Sequence, residues 1–420
     1  MSTGTMELLT GRAQRVWRRA VVGSGLPGLV DRTIIRAQLR TAPRRPRTHL
    51  LLAAPGGGNM GDQALLEALL ENIGGLLTLV VPDREGLELP EAFRRRVEVL
   101  EIPHLVYGTG AEHRAAVARF GRALAEAAHL SVVGADVMDG RYSLPASVRR
   151  STLATAAARA GVDTRIIGFS WSDRPRVAAR RSLAAAARSG VHLLLRDPIS
   201  ADRARRDGIR PVEDAADVVF AARTVDGSAA DTLLRGVSKP VALVNVSGLL
   251  AARFDQTEDY LAIVEHLLRR GLHVVVLAHV ARTDGGDQAA CAAVMTRLGR
   301  REDVSSLPTV LPPAQVRGLT ARAAITVTGR MHLAVMSLMN GVPALTLASQ
   351  GKVEGLMQLF GTPQLRIEAA PGFSADVIEV IDQVLPGDSA ARASIGRALP
   401  GVVSLAGRNT AGLAAPGAEE

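Results

Sequence analysis

The sequence contains a single cysteine, Cys291, and only 3% aromatic residues. One cysteine cannot build a disulfide framework or a thiolate zinc cluster, so we expect a reducing compartment, the cytoplasm. No stretch approaches the roughly 18 consecutive apolar residues that a membrane-spanning helix needs. The apolar stretch 20–30 is broken by three glycines and a proline, so we do not expect a signal peptide.

Lysine is also scarce, because Lys239 and Lys352 are the only two among 50 basic residues. The skew towards arginine most simply reflects GC-rich coding. Because the chain uses arginine nearly everywhere else, the compact ammonium group of Lys352 is a candidate for binding a ligand. A randomly placed surface lysine explains the observation equally well.

The net charge of +9 is concentrated at one end of the chain. Residues 1–47 contain ten arginines and two acids, which gives this segment a charge of +8. A nucleic-acid enzyme would be expected to line its working groove with basic residues, so we do not expect nucleic acid as a partner. Residues 6–22 have the pattern of an amphipathic helix for the inner face of an anionic membrane. A flexible arm, or a helix packed on the body, fits as well.

The length of 420 residues and the hydrophobic content of 47% predict two domains with sizeable cores. From His49 onward, short buried strands alternate with alanine-rich helices, which predicts parallel, doubly wound α/β sheets. We predict a basic arm and linker at 1–47, Rossmann-like domains at 48–230 and 231–405, and a disordered tail at 406–420. The two domains should face each other across a ligand-binding cleft.

The segment Gly329–His332 separates an apolar strand from an apolar helix. In open α/β sheets, ligands bind at the carboxyl ends of strands, where the N–H groups of a helix start face an anion. Because Arg330 and His332 are two residues apart, we expect both on one side of an extended segment. This pattern predicts an anionic ligand and acid–base chemistry. No cluster of metal-ligating residues accompanies it, so no metal is expected.

Two further motifs follow strands of the first predicted domain. The glycine turn before Asp62 starts a helix, where Asp62 either caps the helix or presents a carboxylate to the cleft. Arg196 and Asp197 end a buried strand, and this arginine can grip a carboxylate or phosphate. A paired Arg and Asp that closes the strand is an equally simple interpretation. The segment 213–217 is interpreted as structural.

In the second predicted domain, His279 ends a buried strand, with Asp284 and Asp287 in the loop beyond it. A histidine at a strand end is either a catalytic group or an ordinary surface histidine. The sequence alone leaves both interpretations open.

Together, these motifs resemble the polysaccharide pyruvyl transferase family over about residues 50–362. The matching segments are Asn59–Asp62, Val132–Asp136, Arg196-Asp197 with Ser200, His279, Arg330–His332, Gly341–Pro343 and Lys352-Val353. The resemblance implies a fold like the two-domain GT-B glycosyltransferases. It also implies transfer of a pyruvyl group from phosphoenolpyruvate to a sugar, which forms a ketal and releases phosphate. Where the family often has three glycines, this chain has Val133-Gly134-Ala135.

The resemblance also implies roles for individual residues. The expected catalytic residues are His332, which moves a proton, and Asp62. The residues expected to bind phosphoenolpyruvate are Arg330, Met331, Arg196 and Lys352. Those expected on the acceptor side of the cleft are Asn59, Gly61, Asp136 and His279. No cofactor is expected, and the acceptor would be a cell-surface glycan or its lipid-linked precursor. A GT-B glycosyltransferase that uses a nucleotide sugar, and a non-catalytic glycan- or partner-binding protein, remain open.

Overall fold

The computed structural model describes residues 26–41, 47–54, 58–281, 286–307, 309–348 and 352–413. Within these ranges the chain forms two α/β domains, each built on a parallel sheet. The predicted amphipathic helix at 6–22 and most of the linker at 42–47 lie outside the described residues. None of the helices in these ranges has the length and apolar character needed to cross a bilayer.

The first domain contains a seven-stranded sheet with the strand order β3-β2-β1-β4-β5-β6-β7. Its strands are β1 (Thr48–Leu52), β2 (Leu76–Val81), β3 (Val97–Glu101), β4 (Ala127–Val133), β5 (Asp163–Phe169), β6 (His192–Leu195) and β7 (Glu213–Asp214). Its helices are α1 (Leu26–Thr41), α2 (Met60–Asn72), α3 (Gly110–Ala125), α4 (Leu144–Arg159), α5 (Val177–Ala187) and α6 (Pro198–Arg206), with single turns at Glu91–Phe93 and Val218–Ala221. Apolar strands such as β1 are buried because helices cover both faces of a parallel sheet.

The second domain contains a six-stranded sheet with the strand order β10-β9-β8-β11-β12-β13. Its strands are β8 (Val241–Asn245), β9 (His273–Leu277), β10 (Val304–Leu307), β11 (Ala323–Thr328), β12 (Ala344–Ala348) and β13 (Arg366–Glu368). Its helices are α7 (Ser228–Leu233), α8 (Gly248–Ala251), α9 (Thr257–Arg269), α10 (Asp287–Leu298), α11 (Pro313–Thr320), α12 (Met331–Leu338), α13 (Lys352–Phe360), α14 (Ser374–Val384) and α15 (Ala390–Gly407), with single turns at Pro363–Leu365 and Arg408–Thr410.

Helix α1 packs on the first domain, although the sequence analysis assigned it to the basic arm. Ile35 is buried in the core of that domain. Asp31 is also buried, with one carboxylate oxygen 3.0 Å from Nε2 of His113 in α3. Residues 26–41 are therefore part of the folded body.

The end of the chain corrects the predicted tail. The prediction of disorder from Ala406 is wrong for residues 406–413, which continue α15 and then form the last single turn. Asn409 is fully buried there; its side chain accepts a hydrogen bond from Gly168 N at 3.1 Å and donates to Ala216 O at 2.9 Å. The Ala- and Gly-rich composition gives no sign of this order, because the residues that hold Asn409 lie far away in the sequence, in the first domain. The last helix thus returns to the domain where the chain began.

A buried histidine in β1 makes stability depend on pH. His49 Nε2 lies 3.0 Å from Ser131 Oγ. Burial, followed by the nearby His129 and Arg165, lowers its pKa from 6.5 to about 3. Burial in the folded state favours the neutral imidazole, whereas the unfolded chain takes up a proton near pH 6.5. The contribution of His49 to folding stability is therefore fully present above about pH 6.5 and is lost as the pH falls towards 3.

We therefore expect acid to destabilise the protein through His49. Between pH 7.5 and 5, this group alone should remove on the order of 2 kcal/mol from the free energy of unfolding. Urea unfolding at both pH values measures the loss, and His49→Gln should reduce it. An equal loss in the wild type and in His49→Gln would contradict the assignment.

Candidate active site

The carboxyl ends of the two sheets meet, and the predicted site residues lie at this junction. Asp136 follows β4, Arg196 follows β6, His279 follows β9 and Arg330 follows β11. Lys352 is the first residue of α13, the helix that follows β12. The two sheets therefore bring most of the predicted residues to one place.

The turn before α2 joins the two domains. Asn59 caps α2, because its side chain accepts a hydrogen bond from Gly61 N at 3.0 Å. The same residue forms a β-bridge with Val280, and Met60 N donates to His279 O at 3.3 Å. Asn59 thus shapes the turn and holds it against the second domain.

His332 lies in the first turn of α12 and faces the first domain. Its Nε2 is 3.5 Å from Oδ2 of Asp217, a carboxylate that is almost fully buried. A Cβ atom placed on Gly61 would lie 2.2 Å from Nδ1 of the same ring. Gly61 is therefore required because the histidine ring occupies the space that any other side chain would fill.

Arg330 points to a different partner. It is the residue immediately before α12, and its Nη2 lies 2.6 Å from Oδ1 of Asp287, with Nε 3.0 Å from the same oxygen. The expectation that Arg330 and His332 lie on one side of an extended segment is wrong, since His332 is already helical. Arg330 faces Asp287 in the second domain, and His332 faces Asp217. Met331, the first helical residue between them, is buried.

Asp287 organises the second-domain half of the site. This fully buried carboxylate accepts hydrogen bonds from Gly248 N at 2.8 Å, from His279 N at 3.0 Å and from Asn245 Nδ2 at 3.0 Å, in addition to Arg330. It therefore fixes the ends of β8 and β9 together with the guanidinium of Arg330. Burial of this carboxylate is tolerable because each of its oxygens accepts several hydrogen bonds.

Arg196 occupies the centre of the first-domain half. Its side chain is completely buried; Nη1 lies 3.1 Å from Asp217, Nε donates to Ser170 Oγ at 2.8 Å, and Nη2 pairs with Asp136. From the sequence, this guanidinium is predicted to bind the donor anion. In the structure it contacts protein groups instead, and it holds two carboxylates in place.

Asp197, beside it, caps α6 by accepting a hydrogen bond from Ser200 N at 2.7 Å. A Cβ on Gly355 would lie 2.1 Å from its carboxylate. Asp197 therefore sets the close approach of α6 to α13 across the domain junction.

Lys352 links the domains through Asp136. Its Nζ lies 2.5 Å from Asp136 Oδ2, and both side chains are partly exposed. Burial alone would raise the pKa of Asp136, but Lys352 and Arg196 outweigh it and hold the pKa well below its usual range. Burial acts in the opposite sense on Lys352, and Asp136 overcomes it to raise the lysine pKa. Both groups are therefore charged at neutral pH.

His279 contributes a neutral imidazole close to Arg330 and His332. It is buried, and burial followed by the charges of His332 and Arg330 holds its pKa well below the usual value. Its backbone N–H donates to Asp287. At neutral pH the ring is therefore uncharged.

Ala135 occupies a position where the family often has glycine. Its φ is 43°, in the left-handed region that disfavours a side chain. Its carbonyl accepts a hydrogen bond from Ser170 N at 3.0 Å, which fixes the turn that presents Asp136. The backbone therefore adopts the glycine-like conformation at a strain of roughly 1–2 kcal/mol.

Two cavities flank this network. The Tyr107 cavity, of about 360 Å³, lies in the first domain and is lined by Asp62, the residue after Gly61. The Tyr142 cavity, of about 190 Å³, is lined by Arg141, Arg203 and Lys352. Within the ranges that the structure describes, no group of three or more His, Cys, Asp or Glu is placed to hold a metal ion.

Two residues of this site, Asp217 and Asp287, were not identified from the sequence. Asp217 was interpreted as structural, and Asp287 was noted in a loop without a role. Each lies near the start of a helical turn, where an Asp is common for capping reasons alone. A signal was available only for Asp287, which lies in the loop after the predicted strand end at His279, where parallel sheets bind ligands.

Two parallel-sheet domains with a site at their junction define the GT-B class of fold. A putative UDP-N-acetylglucosamine 2-epimerase from Listeria monocytogenes is 12% identical, with a TM-score of 0.58 over 86% of this chain and 94% of that one. UGT89C1 of Arabidopsis thaliana, complexed with UDP-L-rhamnose, is 12% identical, with a TM-score of 0.56 over 87% of this chain and 98% of that one. At these identities the similarity establishes the GT-B-like fold alone.

The family is shown by a different comparison. The family model described as polysaccharide pyruvyl transferase matches residues 59–351, which include the site residues named above except Lys352 and Gly355, just beyond its end. The chain belongs to the polysaccharide pyruvyl transferase family and is a transferase of polysaccharide biosynthesis. None of the curated proteins compared with the chain matches it.

Proposed function

We propose that this protein transfers a pyruvyl group from phosphoenolpyruvate to two hydroxyls of a sugar, forming a ketal and releasing phosphate. The acceptor sugar would belong to a cell-surface glycan or its lipid-linked precursor. The observation that carries the proposal is the His332–Asp217 pair at the domain junction, within the segment that matches the family. A histidine beside a buried carboxylate is suited to donating a proton.

The reaction is balanced without any further reagent. A proton adds to the methylene carbon of phosphoenolpyruvate, and the neighbouring carbon becomes the cation that a sugar hydroxyl attacks. The bond from that carbon to the phosphate oxygen breaks, and a second hydroxyl forms the second carbon–oxygen bond. Of the two hydroxyl protons, one replaces the proton that became part of the methyl group, and the other leaves with phosphate.

His332 is the proposed donor of the proton to carbon. The negative charge of Asp217 would stabilise the imidazolium and orient its ring. Burial raises the pKa of Asp217, but His332 and Arg196 outweigh burial and keep the carboxylate ionised. Asp62, in the first turn of α2 beside Gly61, is the proposed acceptor of a hydroxyl proton.

The donor anion needs cations that can reach it. The side chain of Arg330 is 16% exposed and that of Lys352 is 17% exposed, whereas that of Arg196 is fully buried. We therefore assign contact with phosphate and carboxylate to Arg330 and Lys352. Arg196 becomes a positioning residue that holds Asp217 and Asp136.

The second candidate is a glycosyltransferase that uses a nucleotide sugar. It is favoured by the fold, since solved structures of this fold include the Arabidopsis thaliana enzyme complexed with UDP-L-rhamnose. A non-catalytic glycan-binding protein remains the third candidate. For the enzyme, we keep the cytoplasm as the proposed location, with the basic arm as a candidate contact to an anionic membrane.

Donor binding separates these candidates. Phosphoenolpyruvate should raise the melting temperature of the purified protein, and UDP or GDP at the same concentration should not. Arg330→Gln should reduce the increase in melting temperature that phosphoenolpyruvate causes, because one of the two cations proposed to bind phosphoenolpyruvate is lost. Arg322→Gln is the matched control, since Arg322 is an exposed arginine paired with Asp231. A shift with UDP or GDP alone would favour the second candidate, and no shift with any of the three would favour the third.

A further inference from the structure

The Tyr107 cavity lies next to the proposed proton donor. Asp62 lines the cavity and directly follows Gly61, which is in contact with the ring of His332. A ligand in the cavity can therefore place a hydroxyl close to the catalytic histidine. The volume of about 360 Å³ is within the range of small-ligand sites.

The charge of the cavity restricts what it binds. Its charged lining residues are Asp62, Asp83 and Glu85, and none of the described residues that line it is basic. Arg150 lies beneath the floor, where it donates to Ala53 O at 2.8 Å and to Val133 O at 3.1 Å. Carboxylates accept hydrogen bonds from hydroxyl groups but repel an anion.

The Tyr142 cavity has the opposite character, because Arg141, Arg203 and Lys352 line it beside Asp136 and Asp139. The site is therefore divided into a basic side and an acidic side. An anionic donor suits the basic side, which leaves the acidic cavity for another ligand.

Tyr107 adds the feature that suits a sugar. Tyr107 is 48% exposed, and Tyr142 is the other aromatic residue that is well exposed in the part of the chain that the structure describes. The floor of the cavity is apolar and includes Leu51, Leu65 and Val133. An aromatic face with an apolar floor packs against the C–H face of a sugar ring, while the carboxylates reach its hydroxyls.

A second cavity extends the groove. Leu87 lines the Tyr107 cavity and also a neighbouring cavity of about 570 Å³. This second cavity reaches Thr224, in the segment that joins the domains, and Pro312 of the second domain. The charged residues of this second cavity are Glu67, Glu71, Glu88, Glu91 and Arg94. Arg317 lies 3.0 Å from Glu67 and 3.8 Å from Glu71, and Arg94 pairs with Glu91. The four acids still outnumber these two bases, so the acidic character continues along a groove that is longer than one sugar.

We infer that this groove binds the acceptor, and that the acceptor is a saccharide chain without negative charge where it contacts the protein. The inference rests on the proposed function for its role as an acceptor site. The binding itself does not depend on that function. Tyr107 is the platform for the sugar nearest His332, and the loop 82–94 carries the following units.

Direct binding of matched sugars tests the inference. Saturation-transfer NMR would compare neutral trisaccharides of glucose, galactose, mannose and N-acetylglucosamine with trigalacturonate. At least one neutral trisaccharide should bind at least about tenfold more tightly than trigalacturonate, and Tyr107→Ala should weaken it about tenfold, whereas Tyr107→Phe should retain binding. Glu85→Gln should reduce the ratio by which the neutral trisaccharide binds more tightly than trigalacturonate. Glu302 is an exposed acid of the second domain, and Glu302→Gln should leave this ratio unchanged.

Each result has a distinct meaning. The inference is overturned if no neutral trisaccharide binds, if trigalacturonate binds as tightly, or if Tyr107→Ala binds like the wild type. Failure of the proposed function gives a different pattern. In that case the neutral trisaccharide still depends on Tyr107, but phosphoenolpyruvate neither binds nor releases phosphate.

Discussion

Replacing His332 with alanine is expected to lower the turnover of phosphoenolpyruvate by about 10²–10⁴-fold, the usual contribution of a positioned acid or base. The physical reason is that protonation of the methylene carbon requires a donor held in place. His332 is held on one side by the backbone of Gly61 and on the other by Asp217, 3.5 Å from Nε2. Phosphate release under saturating donor and acceptor measures the effect.

His266 provides the matched control. It also faces an aspartate, with Nε2 2.8 Å from Asp382 Oδ1, but it lies in α9 of the second domain. His266→Ala should keep full turnover. Gly61→Ala should lower turnover by displacing the ring of His332 while all ionisable groups remain. If His332→Ala stays folded and retains wild-type turnover, the proton-donor assignment is wrong.

Replacing Arg196 with leucine is expected to lower the free energy of unfolding by about 3–5 kcal/mol, because Asp217 loses a buried partner. Arg196 is completely buried between Asp136 and Asp217. Removing one member of a buried ionic group leaves an uncompensated charge in a medium of low polarity. Equilibrium unfolding in urea measures the change, and Arg196→Lys should lose less because it keeps the charge.

Arg205 is the matched control for this prediction. It also contacts two aspartates, Asp202 at 3.1 Å and Asp214 at 2.7 Å, but it is partly exposed to water. Arg205→Leu should cost at most about 1 kcal/mol, because water screens surface ion pairs. Equal losses for Arg196→Leu and Arg205→Leu would show that the buried network adds no more stability than a surface pair.

The sequence predicted local structure where the pattern of apolar residues was strong. The apolar strand and the apolar helix predicted on either side of Gly329–His332 are β11 (Ala323–Thr328) and α12 (Met331–Leu338). The parallel sheets followed from the alternation of strands and helices. The edge strands β3 and β10 were not predicted, because their sequences VEVLE and VSSL contain polar residues on the exposed side. Polar residues destabilise an edge strand less than a central strand, because one edge of the strand faces water.

Part of the site could not be predicted, because its contacts join distant segments. The strand ends bearing Arg196, His279 and Arg330 were recognised, since parallel sheets place ligands there. Which acid pairs with which base depends on the packing of the two domains. The partners Asp217 and Asp287 therefore became visible as site residues only in the structure. The same long-range packing buries Arg196 between Asp136 and Asp217, whereas the sequence predicted that it binds phosphoenolpyruvate.

The most direct test of the proposed reaction is the mass spectrum of a neutral oligosaccharide acceptor after incubation with phosphoenolpyruvate in D₂O. Protonation of the methylene carbon from an exchangeable group should give one pyruvate ketal whose methyl group carries one deuterium. His332→Ala should give little of this product. An acceptor of unchanged mass across neutral oligosaccharides, or a ketal without deuterium in its methyl group, would contradict the proposed reaction.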